Sequence, residues 1–250
     1  MRCFWLGQQD YAGVWALQQA LMDARIVGSC GDVMLLVEHG PTITLGRSAD
    51  ERHVLADRDA LARRGVAVYR TERGGDVTFH GPGQLVGYPI VDLAAMRPDL
   101  HWFLRSLEQA IIVALAHLGI GGERFPPHTG VWVGGRKVAA IGIRVRRWVT
   151  MHGFALNVAD DLSGFQSIVP CGLREHGVTS VSHLLGRPVS LEEMAPLIVD
   201  GWRRTLGWRV EGMPCEWCNL PPAAASLLRS ARELAPDGGT AGERAPSRQS

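Results

Sequence analysis

Lysine is almost missing from this chain. Of its 26 basic residues, Lys137 is the only lysine and the rest are arginine. A GC-rich genome that writes arginine for lysine accounts for the shortage, and a single survivor is compatible with chance. Arginine replaces lysine well in surface charge and ion pairs, but it does not readily give up a proton. A position that needs a titrating amine is therefore one where arginine fails. Charge of one sign is not in excess either. The formal net charge of +1 excludes a general polyanion binder, so no nucleic-acid partner is expected, while a local basic patch stays open. Long apolar runs are absent, since the longest, near Ile111–Leu115, is too short to cross a bilayer. No membrane association is expected. The stretch MRCFWLGQQD has no apolar segment followed by a small-residue cleavage site, so no secretory signal is read and a cytoplasmic location is expected. What the chain does have is 250 residues, 46% apolar and 20% charged, enough for a proper core and too apolar for global disorder.

Five cysteines, Cys3, Cys30, Cys171, Cys215 and Cys218, make an odd count that suits a reducing compartment and not a disulfide framework. Cys215-Glu-Trp-Cys218 has CxxC spacing. Zinc would want two more ligands at matched spacing, and there is no second pair. A redox CxxC normally opens a helix after a strand, whereas this one runs into Asn-Leu-Pro-Pro. No metal is assigned to it.

Periodicity predicts a helix over residues 10–27, with Val14, Leu17, Leu21 and Ala24 on one face. Strands are predicted at Val33–Glu38, Val66–Arg70 and Leu85–Val91, and a short helix at Asp57–Arg64. The strongest helix pattern runs from Asp99 to Leu118, with Gly119 as its stop. Val131–Val133 and Lys137–Arg147 flank a Gly134-Gly135 turn and read as a β-hairpin, with Met151–Val158 as a third strand beside it. Ser190-Leu-Glu-Glu193 is a capping box opening a helix to about Leu206. No repeat and no polar linker interrupts residues 1–210. The expected fold class is α+β: a single domain over 1–234, a mixed or antiparallel central sheet flanked by helices, and a disordered tail over 235–250.

Three segments carry chemistry. The first is Arg73-Gly-Gly-Asp-Val-Thr-Phe-His80-Gly-Pro-Gly-Gln84, read as a Gly/Pro-rich loop over residues 73–84. Paired glycines let backbone approach a ligand closely. An ordinary surface turn would explain the glycines, but less well the Arg, Thr and His crowded among them. It is neither a Walker A loop nor a GxGxxG fingerprint. The second is Gly134-Gly-Arg-Lys137-Val-Ala-Ala-Ile-Gly142, a strand whose small residues leave room above a sheet. An exposed lysine at a sheet edge is the plainer reading. The third is Val169-Pro-Cys171-Gly-Leu173. A cysteine between Pro and Gly is often presented to a ligand, and a nearby cation or base would lower its pKa from about 8.5. His80, His152, His176 and Lys137 are the candidate partners, and spacing alone does not choose among them.

These segments, RGGDVTFHGPGQLVGYPI, GVWVGGRKVAAIGIRVRR, MHGFALNV and VPCGL, resemble the LipB-type octanoyltransferases of lipoate synthesis over roughly residues 30–207. The resemblance implies a fold shared with biotin and lipoate ligases. It implies transfer of an octanoyl group from octanoyl-acyl carrier protein to a lysine of lipoyl domains, in the glycine-cleavage H protein and the acyltransferase subunits of 2-oxoacid dehydrogenases, with no cofactor. Cys171 matches the acyl-accepting cysteine and Lys137 the lysine that lowers its pKa. Arg73, Gly74, Gly75, Asp76, Val77, Thr78, Phe79 and His80 match the family's substrate loop. Ala140, Ile141, Gly142, Gly153, Phe154 and Ala155 match its other substrate contacts. Several family members carry glycine where Trp148 stands, which puts the local hairpin end in doubt. Two rivals differ in class. An ATP-dependent lipoate ligase would not need Cys171, and a non-catalytic carrier-binding protein using Arg146 and Arg147 would form no adduct.

Overall fold

The structure is a computed structural model that describes residues 1–159, 161–169 and 177–208. Strand β1 (Arg2–Gln9) leads into helix α1 (Tyr11–Ile26), whose Asp10 cap accepts a hydrogen bond from the Gly13 N–H. Then come β2 (Val33–His39), β3 (Thr42–Leu45), the short helix α2 (Arg58–Arg63), β4 (Ala67–Arg70), β5 (Val77–His80) and β6 (Gln84–Ile90). Helix α3 (Leu100–Ala116) is followed by β7 (Glu123–Phe125), β8 (His128–Val133), β9 (Arg136–Arg146) and β10 (Val149–Asn157), then α4 (Val181–Leu185) and α5 (Leu191–Leu206).

The main sheet has seven strands in the order β1-β2-β6-β10-β9-β8-β7. Only β1 and β2 run parallel; the other pairs are antiparallel, so the sheet is mixed. Strand β10 lies at its centre and is buried along all nine residues, as a strand covered on both faces must be. One face packs under α3 and α5, where Phe103, Ile111, Met194, Ile198 and Trp202 meet Leu36, Val138 and Leu156. The other face packs under α1 through Val14, Leu17 and Met22. A second sheet, β4-β3-β5, has its own apolar cluster around Ile43, Leu61 and Phe79.

Most predicted elements stand. Ser190 caps α5 by accepting from the Glu193 N–H at 3.1 Å. Gly134 and Gly135 take φ of +54° and +73°, the double left-handed turn that a two-residue hairpin requires. One reading is corrected. Residues 73–84 are not loop throughout, because Val77–His80 forms β5 and pairs antiparallel with Thr42–Leu45. The sequence Val-Thr-Phe-His suits a strand; what hid it was the unrecognised partner Thr-Ile-Thr-Leu. The β9–β10 turn holds Arg147 and Trp148 at φ +50° and +64°, the left-handed region that favours glycine. The predicted tail and the Cys215–Cys218 pair lie outside the described residues.

Candidate active site

The antiparallel pairing of β10 with β6 and β9 sets Gly153 beside Gly142 and Phe154 beside both Gly87 and Ile141. Against β9 lies the loop that precedes β5. Its Gly74 N–H donates to the Ile143 carbonyl at 2.8 Å. A Cβ at Gly142 would sit 2.6 Å from the Gly74 carbonyl oxygen, so only glycine lets the loop come this close. Gly153 is constrained in the same way by the Gly87 carbonyl and by Pro89. Arg73 is buried and shapes the loop. Its guanidinium donates to the Thr44 hydroxyl and carbonyl, to the Gly74 carbonyl and to the Asp76 carbonyl, at 2.7 to 3.1 Å.

Two cavities flank this contact and share Gly75, Asp76, Ile141 and Gly142 in their walls. The first is small, about 50 Å³. Arg73, Val77, Thr78 and His80 line it from one side; Ala140, Gly153, Phe154 and Ala155 line it from the other. Tyr11, Val86, Tyr88 and His152 complete its wall. The second is about 390 Å³ and holds Lys137 and Gly74, with Leu100, Leu104 and Ile143 as apolar lining. Nearly all sequence-matched residues therefore meet around two neighbouring spaces. Phe79 does not line either; it packs edge-on against Phe165 at 5.7 Å in the small-sheet core. Ala139 is likewise turned into the main core.

Lys137 is 6% exposed, which removes the reading of an exposed sheet-edge lysine. Its Nζ lies 4.8 Å from the ring centroid of the buried Trp132, a face that attracts cations. The Lys137 N–H donates to Gly177 and its carbonyl accepts from Thr179. Cys171 and His176 lie outside the described residues. The residues on either side of that segment are fixed: Val169 N–H donates to the His53 carbonyl at 2.7 Å, and Gly177 pairs with Lys137. His53 in turn donates from Nδ1 to Asp76, at 2.5 Å.

Burial keeps His39, His80 and His152 neutral. His80 and His152 are each pushed down to about 3, chiefly by loss of water, with Arg73 adding repulsion. His39, pushed down to about 4 by burial, donates from Nδ1 to the Gln9 carbonyl and accepts from the Tyr88 hydroxyl at 2.8 Å. Burial raises both Tyr11 and Tyr88. Tyr11 opens a helix and carries no motif, so nothing in the sequence marks it. His53, Tyr88 and Asn157 were also missed, although Asn157 ends the Ala-Leu-Asn run that was read as a motif.

A family model described as the lipoyl protein ligase A/B catalytic domain matches residues 10–203. The octanoyltransferase of Gloeobacter violaceus is 50% identical over 213 residues, covering 85% of this chain and 93% of the relative. That of Solibacter usitatus is 53% identical over 189 residues, 76% of this chain and 85% of the relative. The chain belongs to the octanoyltransferase family. As an octanoyltransferase it is an acyltransferase of protein lipoylation. Its fold is that of the lipoate and biotin ligases. Lipoate-protein ligase A bound with ATP superposes with a TM-score of 0.75 at 18% identity, over 93% of this chain and 94% of that one. The biotin protein ligase of Aquifex aeolicus with biotin and ATP gives 0.52 at 13% identity, over 82% and 70%. Among the described residues of the octanoyltransferase, no helix is long and apolar enough to cross a membrane.

Proposed function

We propose that this octanoyltransferase moves the octanoyl group from octanoyl-acyl carrier protein to a lysine of a lipoyl domain, through a thioester on Cys171. The acceptors are the lipoyl domains of 2-oxoacid dehydrogenase acyltransferase subunits and the glycine-cleavage H protein. The observation that carries this reading is the chain's one lysine, buried in the wall of an apolar-lined cavity and paired through its backbone to the residues that follow the Cys171 segment.

In this reading the Cys171 thiolate attacks the thioester carbonyl, and the C–S bond to the carrier breaks. The Lys137 ammonium, ion-paired with the thiolate at the outset, gives its proton to the departing carrier thiolate. The acceptor lysine's amine then attacks the acyl-enzyme, its proton passes to the now neutral Lys137, and the Cys171 thiolate leaves as the amide forms. Splitting the transfer divides one barrier into two. The acyl chain occupies the second cavity, whose volume of about 390 Å³ falls in the usual range for ligand pockets. The first, at about 50 Å³, is room for water-sized groups, so the chain enters it only as its walls yield. The substrate-loop residues Arg73–His80, with Ala140–Gly142 and Gly153–Ala155, form the walls between and around the two. The catalytic domain spans 1–234, with 235–250 dispensable, in a cytoplasmic enzyme.

Intact-protein mass spectrometry tests this directly. Incubation with octanoyl carrier protein, without ATP, adds one octanoyl mass that hydroxylamine removes. A Cys171→Ser protein that accumulated the same adduct on another cysteine would refute the assignment.

A further inference from the structure

Three buried side chains and the Thr179–Lys137 backbone pair connect the first cavity to the strand that carries Lys137. His80 Nδ1 lies 2.9 Å from Gln84 Oε1. The Gln84 amide nitrogen donates to the Phe79 carbonyl at 3.2 Å and to Asn157 Oδ1 at 2.9 Å. The Asn157 amide nitrogen donates to the Thr179 carbonyl at 3.0 Å, and the Thr179 N–H donates to the Lys137 carbonyl at 3.0 Å. Gln84 is 1% exposed, Asn157 3% and His80 6%.

The direction of every bond follows from its ends. The Phe79 and Thr179 carbonyls can only accept, so each must face an amide nitrogen. Asn157 then turns Oδ1 toward Gln84, and Gln84 turns Oε1 toward His80. An oxygen there can only accept, so the His80 proton sits on Nδ1 and its Nε2 is the bare acceptor. Reversing either amide would leave two acceptors facing each other among buried side chains.

We propose that Gln84 and Asn157 are positioning residues for the transfer: Gln84 holds His80 as the Nδ1–H tautomer, and Asn157 ties that imidazole to the Thr179–Lys137 backbone pair. This rests on the proposed transfer at Lys137, with the acyl chain held in the second cavity and reaching the wall around His80 only as the first cavity yields. A wall imidazole with one fixed acceptor presents the same face to every substrate, whereas a tautomer free to switch would also present a donor. Rings and charged groups from four elements pack around His80. His39 from β2 and Tyr11 from α1 lie with ring centroids 6.0 and 5.8 Å away, while Arg73 before β5 and His152 on β10 repel a proton on it.

Two measurements test the proposal. Long-range proton–nitrogen NMR on the unaltered protein reads the tautomer: His80 is expected neutral and protonated on Nδ1 between about pH 5 and 8, and an Nε2–H signal overturns the proposal. Gln84→Glu keeps an acceptor at His80 but adds a negative charge that favours the imidazolium, so the acid limb of transfer moves up by about one pH unit or more. A structural role alone would not move that limb. Asn157→Asp still accepts from Gln84 but cannot donate to Thr179, and is expected to lower kcat about tenfold with little change in KM for the octanoyl carrier. An unshifted limb with an unchanged kcat overturns the network. The wild-type adduct measured alongside separates the two ideas, because its absence overturns the function and its presence with unmoved variants overturns only this inference.

Discussion

The Thr179 N–H donates to the Lys137 carbonyl at 3.0 Å, while the Lys137 N–H donates to the Gly177 carbonyl at 2.9 Å. Lys137 and Val178 form an isolated parallel bridge, so the residues just after the Cys171 segment run alongside the start of β9. A backbone held at both N–H and carbonyl fixes where the Lys137 side chain begins. The buried Trp132 ring, 4.8 Å from Nζ, fixes where it ends.

From this follows the first prediction. Lys137→Arg keeps a cation over Trp132 and keeps every backbone bond, so the thermal midpoint should stay close to wild type. The guanidinium does not release its proton, so the relay fails. Transfer to a lipoyl domain should fall by about a hundredfold or more, the usual contribution of a positioned acid–base group. Steady-state rates beside a circular-dichroism melt check it, and turnover near wild type would end the relay role.

Gly142→Ala probes the contact between loop and strand. The new Cβ would meet the Gly74 carbonyl oxygen at 2.6 Å, and a backbone atom cannot swing aside. The loop has to lift from Ile143, weakening the Gly74 hydrogen bond at 2.8 Å. A cost of about 1–3 kcal/mol in stability is expected, as for other overpacked sites, together with a raised KM for the octanoyl carrier. Urea midpoints and steady-state kinetics measure the two effects. An alanine variant with wild-type KM would mean that the loop does not hold substrate where Arg73–His80 were placed.

Three buried histidines set an acid limit on stability. His39 is pushed down to about 4, and His80 and His152 to about 3, all mainly by burial. In the unfolded chain each titrates near 6.5. Between those values the unfolded chain binds more protons than the folded one, so stability is complete above about pH 6.5 and falls as pH drops toward 4 and 3. Each histidine contributes up to about 1.4 kcal/mol per pH unit inside that window. Urea midpoints taken from pH 7.5 to about 4.5 should fall, and replacing His39 by Gln should flatten part of the slope. A level profile would contradict the neutral, buried assignment.

How far the sequence reached can be traced residue by residue. Helices α1, α3 and α5 and strands β2, β6, β9 and β10 were readable because periodicity, a capping box and a Gly-Gly turn are local signals. The mixed sheet followed from the hairpin. Strand β5 was lost inside a glycine-rich stretch, and β3, its partner, is only four residues long. The candidate site was legible where motif residues are themselves chemical: Lys137, Arg73 and His80 all line the two cavities. Tyr11 and His53 were not, since they reach the site only through the crossing of α1 and the packing of residues 51–54 against Ile168. Phe79 was read as a substrate contact from its place in the motif, yet side chains alternate along β5 and this one points to the small-sheet core.

The tight turn between β9 and β10 supplies the last prediction. Arg147 and Trp148 both sit in the left-handed region, at φ +50° and +64°. A residue with a Cβ pays roughly 1–2 kcal/mol there, and glycine would recover that less about 0.5–1 kcal/mol of its own chain entropy. Trp148 is 43% exposed, so its ring gives back only part of the strain in packing. Its carbonyl, which accepts from the Leu93 N–H at 2.8 Å, is unaffected by the side chain. Trp148→Gly should therefore raise stability by about 0.5–1 kcal/mol, seen as a higher urea midpoint at constant slope. Nine residue steps along β9 take Lys137 to Arg146, about 30 Å of strand, so the octanoyl adduct should form at the wild-type rate. A lower midpoint would show that the indole packs more than it strains. An unchanged midpoint with slower transfer from the carrier protein would instead place Trp148 in contact with a partner.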